Sequence, residues 1–199
     1  MRLTDVTARI AVLASGGGTN LQAILDHFAA LGPGAPGRVV VVASDRAQAG
    51  ALDRARRAGL AAVHLAPNTR DQDLERLLEQ YRIDLIALAG YLRLVPPSVT
   101  RAYAERIVNV HPALLPAFGG QGMYGRHVHE AVLSSGAKES GATVHIVNEV
   151  FDSGRILAQE RVPVMPQDTP DTLAARVLAV EHRLYPRVIE ELCRRVGTK

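Results

Sequence analysis

Arg9-Ile10-Ala11-Val12-Leu13-Ala14-Ser15 is an almost unbroken apolar run. It is followed at once by Gly16-Gly17-Gly18-Thr19-Asn20, and then by Leu21, Ile24, Leu25 and Phe28 at helical spacing. Neighbouring side chains of a strand point to opposite faces, so a run apolar at successive positions belongs to a strand buried on both sides. Strand, tight glycine turn and amphipathic helix make up the first half of a parallel βαβ unit. The pattern then repeats. Val39 to Ala43 reads as a strand closed by Ser44-Asp45, Ala49 to Ala58 as a helix stopped by Gly59, and Ala61 to Leu65 as a short strand. Asp71 to Tyr81 places Leu74, Leu77, Leu78 and Tyr81 on one helical face, with acids early. Asp84 to Gly90 is a fourth strand, a short helix runs from Pro96-Pro97 to Tyr103, and Ile107 to Val110 is a fifth strand. The chain is therefore expected to be α/β: a doubly wound, mostly parallel sheet that binds its ligands beyond the carboxyl ends of its strands.

The second half reads differently. Pro116 to Arg126 is Gly-rich and irregular, and a helix covers about Val128 to Leu133. Thr143 to Val147 and Ile156 to Val164 are two strands around a turn at Asp152-Ser153-Gly154, an antiparallel addition to the sheet. The last helix opens at Thr169 with Pro170 in its first position, buries Leu173, Val177, Val180 and Leu184, and is expected to kink at Pro186.

Composition narrows the function classes. The 199 residues suit a single domain. Lys and Arg exceed Asp and Glu by 23 to 20, the two signs are interleaved, and aromatic residues are 4%. That argues against a nucleic-acid face and leaves room for a local anion pocket. The one cysteine, Cys193, permits no intrachain disulfide and is assigned to packing. Met1 to Ala8 lacks a signal-peptide core and no apolar run is long enough for a bilayer, so the expected location is cytoplasmic, without a membrane partner.

Three constellations carry chemistry. Triple glycine between a strand and a helix brings backbone amides close to a ligand, and a helix start favours phosphate. No Gly-Lys-Ser/Thr follows, so the loop is not a P-loop. An ordinary turn capped by Thr19 or Asn20 is the competing reading. Asn109 and His111 are two apart in Ile107-Val108-Asn109-Val110-His111-Pro112, so they leave one face of a strand end together. An amide donor beside an imidazole suits carbonyl chemistry. Asp152 is a turn residue by position, and an Asp–His pair results if its loop meets the end of the fifth strand. His127, His129 and His145 are assigned to surface or packing rather than metal binding. Glu181-His182 is assigned to a solvated helix face, and Arg70 and Arg93 to the surface.

Ser15-Gly16-Gly17-Gly18-Thr19-Asn20, Leu88-Ala89-Gly90-Tyr91-Leu92-Arg93, Asn109 to Pro116, and Gly141 to His145 with Asp152-Ser153-Gly154 resemble the phosphoribosylglycinamide formyltransferases. These are the folate-dependent glycinamide ribonucleotide transformylases of purine biosynthesis. The resemblance covers nearly the whole chain. It implies one formyltransferase domain over 1–199, with a nucleotide half at about 8–105 and a folate and catalytic half at about 106–199. It implies formyl transfer from 10-formyltetrahydrofolate, the co-substrate, to the amine of glycinamide ribonucleotide, with no metal, in a monomer or homodimer. By matching position, Asn109, His111 and Asp152 are the implied catalytic trio. Gly18, Thr19, Asn20 and Glu181 are the implied ribonucleotide contacts, Glu181 through the ribose hydroxyls. Arg70, Leu92, Arg93, Leu94, Val95 and Asn109, with the loop Glu149, Val150 and Phe151 up to Asp152, are the implied folate contacts. Ala117 to Gly125 departs from the family: the loop is longer and uncharged, a lysine contact to phosphate is absent there, and Arg126 or a nearby histidine is left to replace it.

In the implied chemistry Asn109 and a protonated His111 stabilise an oxyanion while Asp152 favours the imidazolium and helps move protons. Three other functions compete. Formyltetrahydrofolate deformylase shares the trio but carries an N-terminal regulatory domain, whereas eight residues precede the first strand here. Methionyl-tRNA formyltransferase is disfavoured in the same way by its C-terminal domain. A non-catalytic nucleotide-binding module would need the glycine loop but not the trio.

Overall fold

A computed structural model describes residues 7–66 and 71–196. The strands are β1 (Ala8–Leu13), β2 (Gly37–Ser44), β3 (Ala61–His64), β4 (Leu85–Leu88), β5 (Ile107–His111), β6 (Glu139–Ile146) and β7 (Ile156–Pro163). They form one sheet in the order β3-β2-β1-β4-β5-β6-β7. β1 to β5 are parallel; β6 runs antiparallel to β5 and β7 to β6. The helices are α1 (Thr19–Leu31), α2 (Gly50–Arg57), α3 (Asp71–Gln80), α4 (Pro97–Ala102), α5 (Arg126–Ser134) and α6 (Pro170–Val196). No helix among the described residues is long and apolar enough to cross a membrane.

β1 shows why the strands are continuously apolar. Ile10 and Val12 pack with Leu21, Ile24 and Phe28 of α1 and with Leu173 and Val177 of α6. Ala11 and Leu13 pack on the other face with Leu74, Leu77 and Leu78 of α3 and Val99 of α4. All four β1 side chains are fully buried, and each large one contributes about 1.5–3 kcal/mol by leaving water. α6 runs as one helix through the buried Pro186, so the expected kink does not interrupt it. Its start is closed by a reciprocal pair: the amide of Thr169 donates to Thr172 Oγ1 and the amide of Thr172 to Thr169 Oγ1, which satisfies donors that a helix start otherwise leaves open. Further along, the buried Tyr185 hydroxyl lies 2.9 Å from Leu88 O and 3.0 Å from Val108 O, where one shared proton ties α6 to the end of β4 and to the start of β5.

The sheet order reverses between β1 and β4, because β2 and β3 lie on one side of β1 and β4 and β5 on the other. Connections leave such a point in opposite directions, which opens a crevice beyond the strand ends. Asn109, opposite Leu88 of β4 and His145 of β6, sits at that edge.

Candidate active site

A cleft of about 780 Å³ opens there, within the range of small-molecule sites. Its walls are the ends of β4 and β5, the segments Gly90–Val95, Gly120–Arg126 and Val147–Asp152 (except Glu149), and one face of α6 reaching Glu181. Asn109, His111 and Asp152 all line it.

His111 is 2% exposed. Its Nε2 is 2.8 Å from Phe118 O; a carbonyl only accepts, so Nε2 carries the proton there. Its Nδ1 is 3.4 Å from Asp152 Oδ2. Asp152 holds φ at +52°, a left-handed turn that Asp tolerates better than most residues. Its Oδ2 accepts the Gly120 amide at 3.0 Å. Burial pushes the Asp152 pKa up, but His145, His111 and the Gly120 amide together bring it below the ordinary carboxylate value, so it is ionised at neutral pH. For His111, burial lowers the pKa more than Asp152 and the Phe118 carbonyl raise it. Asp152 favours the imidazolium as expected, and the Phe118 carbonyl with it, but the enclosure of the ring outweighs both.

His145, assigned to packing, belongs to this cluster. It is 2% exposed and lines the cleft. Its Nδ1 donates to Ile146 O at 2.9 Å, which leaves Nε2 to accept from Asn109 Nδ2 at 3.1 Å. That contact fixes which end of the Asn109 amide is the donor and leaves its second N–H unspent. Asp152 Oδ1 lies 3.5 Å from the same Nε2. A signal was present in the sequence: Thr143 and His145 repeat the alternation of Asn109 and His111. Reading it required the register, which sets Asn109 opposite His145 and His111 opposite Thr143. His129, on α5, also lines the cleft, buried with its Nδ1 unpartnered; burial and His111 lower its pKa. His127 is exposed and pairs with Glu130.

The irregular loop after Pro116 supplies two of the clamps just described, Phe118 O and the Gly120 amide. Gly119 allows this: a Cβ there would lie 2.5 Å from Leu115 Cδ2 and 3.1 Å from Asp152 Cβ.

Of the residues expected to contact the ribonucleotide, Asn20 and Glu181 line the cleft and Asn20 Nδ2 donates to Glu181 Oε2 at 2.6 Å. Glu181 is buried rather than on a solvated face, and burial pushes its pKa to about 7. The inward stripe of α6 reaches Glu181, one turn after Val177 and one turn before Tyr185, but spacing alone does not say that a carboxylate there loses its water. Gly18 and Thr19 are not among the lining residues; Gly18 caps α1 with φ +76° and no side-chain cap, leaving the first-turn amides open. Arg126 is held by Glu130 and Asp171 at 2.8 and 2.5 Å. Of the expected folate contacts, Leu92, Arg93, Leu94, Val95, Val150 and Phe151 line the cleft. Glu149 turns away to Arg101 at 2.9 Å, and Arg70 lies outside the described residues. Among the described residues no three His, Cys, Asp or Glu side chains are grouped as metal ligands.

The glycines of the loop are not equivalent. A Cβ on Gly18 would lie 2.7 Å from Ala51 Cα on α2, whereas one on Gly16 meets nothing within 4 Å. Overpacking plus a left-handed alanine makes Gly18→Ala cost about 2–4 kcal/mol, while Gly16→Ala stays within about 0.5 kcal/mol of the parent. Urea titration of both variants checks this, and equal midpoints would show that α1 and α2 can part at no cost.

The chain is similar to known proteins over most of its length. A chloroplastic phosphoribosylglycinamide formyltransferase of Vigna unguiculata is 45% identical over 192 residues, 93% of this chain; the chain spans 61% of that protein's length. The phosphoribosylglycinamide formyltransferase of Escherichia coli (strain K12) is 39% identical, with 90% of this chain and 84% of that protein aligned. The crystal structure of glycinamide ribonucleotide transformylase 1 from Symbiobacterium toebii superposes with a TM-score of 0.85 at 46% identity, covering 94% of this chain and 88% of that one. Residues 8–189 match the formyl transferase family model, a span that runs from β1 through the glycine loop and the Asn109–His111–Asp152 cluster into α6, and the chain belongs to that family.

Proposed function

We propose that the protein transfers the formyl group of 10-formyltetrahydrofolate to the amine of glycinamide ribonucleotide, a step of purine biosynthesis. The observation that carries this reading is that one cleft has the Asn109–His111–Asp152 cluster between two unlike ends. One end is polar, with Asn20, Glu181 and the nearby open amides of α1. The other is an apolar wall of Leu92, Leu94, Val95, Val150 and Phe151 with Arg93 at its edge. A phosphorylated ribose suits the first, and a flat heteroaromatic carrying carboxylates suits the second.

The formyl donor supplies an electrophilic carbonyl carbon and a nitrogen leaving group. The free Nδ2–H of Asn109 donates to the formyl oxygen as negative charge develops on it, and the Nε2–H of His111 joins it by leaving Phe118 O. One such preorganised donor stabilises the transition state by about 3–4 kcal/mol. A neutral imidazole suffices for this, in keeping with the burial of His111. Asp152, ionised, takes the proton released by the attacking amine and returns it, directly or through water, to the departing nitrogen. The carbon–nitrogen bond to the amine forms as that to the donor nitrogen breaks, and no net proton is gained or lost.

The test is an assay of purified protein with 10-formyltetrahydrofolate, with and without glycinamide ribonucleotide. Turnover that requires the ribonucleotide is expected. Equal release of formate without it would identify a deformylase instead, and no turnover in either case would leave a binding module.

A further inference from the structure

We propose that Ser15 and Asp45 are a positioning pair that anchors the Gly90–Val95 wall and thereby tunes affinity for the formyl donor alone; this rests on reading that wall as the folate side. Ser15 follows β1 and is 2% exposed. Its Oγ donates to Asp45 Oδ1 at 2.5 Å and accepts the Leu92 amide at 3.0 Å, while its own amide donates to Gly90 O at 3.0 Å. A hydroxyl has one proton. With that proton committed to a carboxylate, the oxygen is left as an acceptor, and the charge-assisted donation makes it a better one. The negative charge of Asp45 thus acts on the Leu92 main chain through Ser15.

The anchored segment needs this support. It leaves β4 through Gly90 at φ +72° and contains no helix or strand up to Val95. Its outer residue Leu94 is 43% exposed beside the cleft. Asp45 is half-buried where it meets Ser15, and its charge also reaches the Tyr91 hydroxyl, whose pKa burial raises. No catalytic group touches Ser15 or Asp45, which makes the pair a determinant of position only.

The experiment compares Ser15→Ala, Asp45→Ala and Asp45→Asn in the full chain. Amide exchange at Leu92, read by NMR, should accelerate at least about tenfold in both alanine variants and less in Asp45→Asn, whose amide oxygen still accepts from Ser15. KM for 10-formyltetrahydrofolate should rise about three- to tenfold in the alanine variants, the equivalent of one lost hydrogen bond. Asp45→Asn should recover part of it, with kcat and the ribonucleotide KM within about twofold of the parent throughout. Unchanged Leu92 exchange overturns the anchor even in an active transferase, and so does an equal rise in both KM values. If the parent fails to use the formyl donor while Leu92 is exposed in Ser15→Ala, the anchor stands and the functional reading falls.

Discussion

Replacing His111 or Asp152 by alanine is expected to lower kcat by roughly 10²–10⁴-fold each, and replacing both to cost no more than about tenfold beyond the worse single variant. The reason is geometric. Asp152 Oδ2 faces His111 Nδ1 at 3.4 Å and also holds the Gly120 amide at 3.0 Å, while Phe118, two residues earlier in the same loop, holds His111 Nε2 at 2.8 Å. Removing either side chain releases the loop and leaves the other without its partner, so the first deletion takes most of the effect. Independent contributions would instead multiply. Affinity for both substrates should change little, because these groups act chiefly on charge that develops in the transition state. His145→Ala should fall between the parent and the singles, since it leaves His111 and Asp152 in place and frees only the Asn109 amide. Single-turnover rates and equilibrium binding on the four variants measure all of this, and a double variant whose loss equals the product of the singles would dissolve the unit.

Glu181→Gln is expected to stabilise the protein, and only on the alkaline side. Burial holds the Glu181 pKa at about 7 against an ordinary 4.5. Below pH 4.5 the folded and unfolded chains both carry the proton and nothing is lost. Between about 4.5 and 7 the unfolded chain ionises first, so folding stability falls with rising pH at about 1.4 kcal/mol per pH unit. The accumulated loss is about 3 kcal/mol, and it is constant above pH 7. Glutamine keeps an oxygen for Asn20 Nδ2 and carries no charge to desolvate, so the variant should gain that amount at pH 8 and nothing at pH 4. His111, His129 and His182 have pKa values lowered by burial, which weakens the fold as pH drops below 6.5. Those contributions are common to both proteins and cancel in the difference. Urea midpoints across pH 4–8 give the difference curve, and a flat one would mean that Glu181 is solvated in solution. If Glu181 accepts ribose hydroxyls, the stabilised variant should also bind glycinamide ribonucleotide more weakly.

The two sets of effects sit on different links between chain and function. Asn109 and His111 were legible because period-two alternation is local: the strand that makes Val108 and Val110 apolar also makes its polar neighbours share a face. The strand–glycine–helix start was legible for the same reason, as was the parallel half of the sheet, where continuous apolar runs leave no solvent face. The Asp152 turn was legible as a turn, but its approach to His111 was conditional on where β6 and β7 lay.

Tertiary structure decided the rest, because it depends on pairs far apart in the chain. The register of β5 on β6 brought His145 to Asn109 and turned a packing histidine into the group that orients the amide. The seating of α6 over the crevice buried Glu181 against Asn20, and no periodicity in a helix distinguishes a carboxylate that faces solvent from one that faces a cleft of the same polarity. The loop after Pro116 carries no period at all, so the backbone groups with which it clamps His111 and Asp152 have no signature in residue type. The sequence by itself determined which residues face which side of each element. Which elements meet, and therefore which charges lose their water, follows only when the sheet order and register are set, because desolvation depends on neighbours in space and not along the chain.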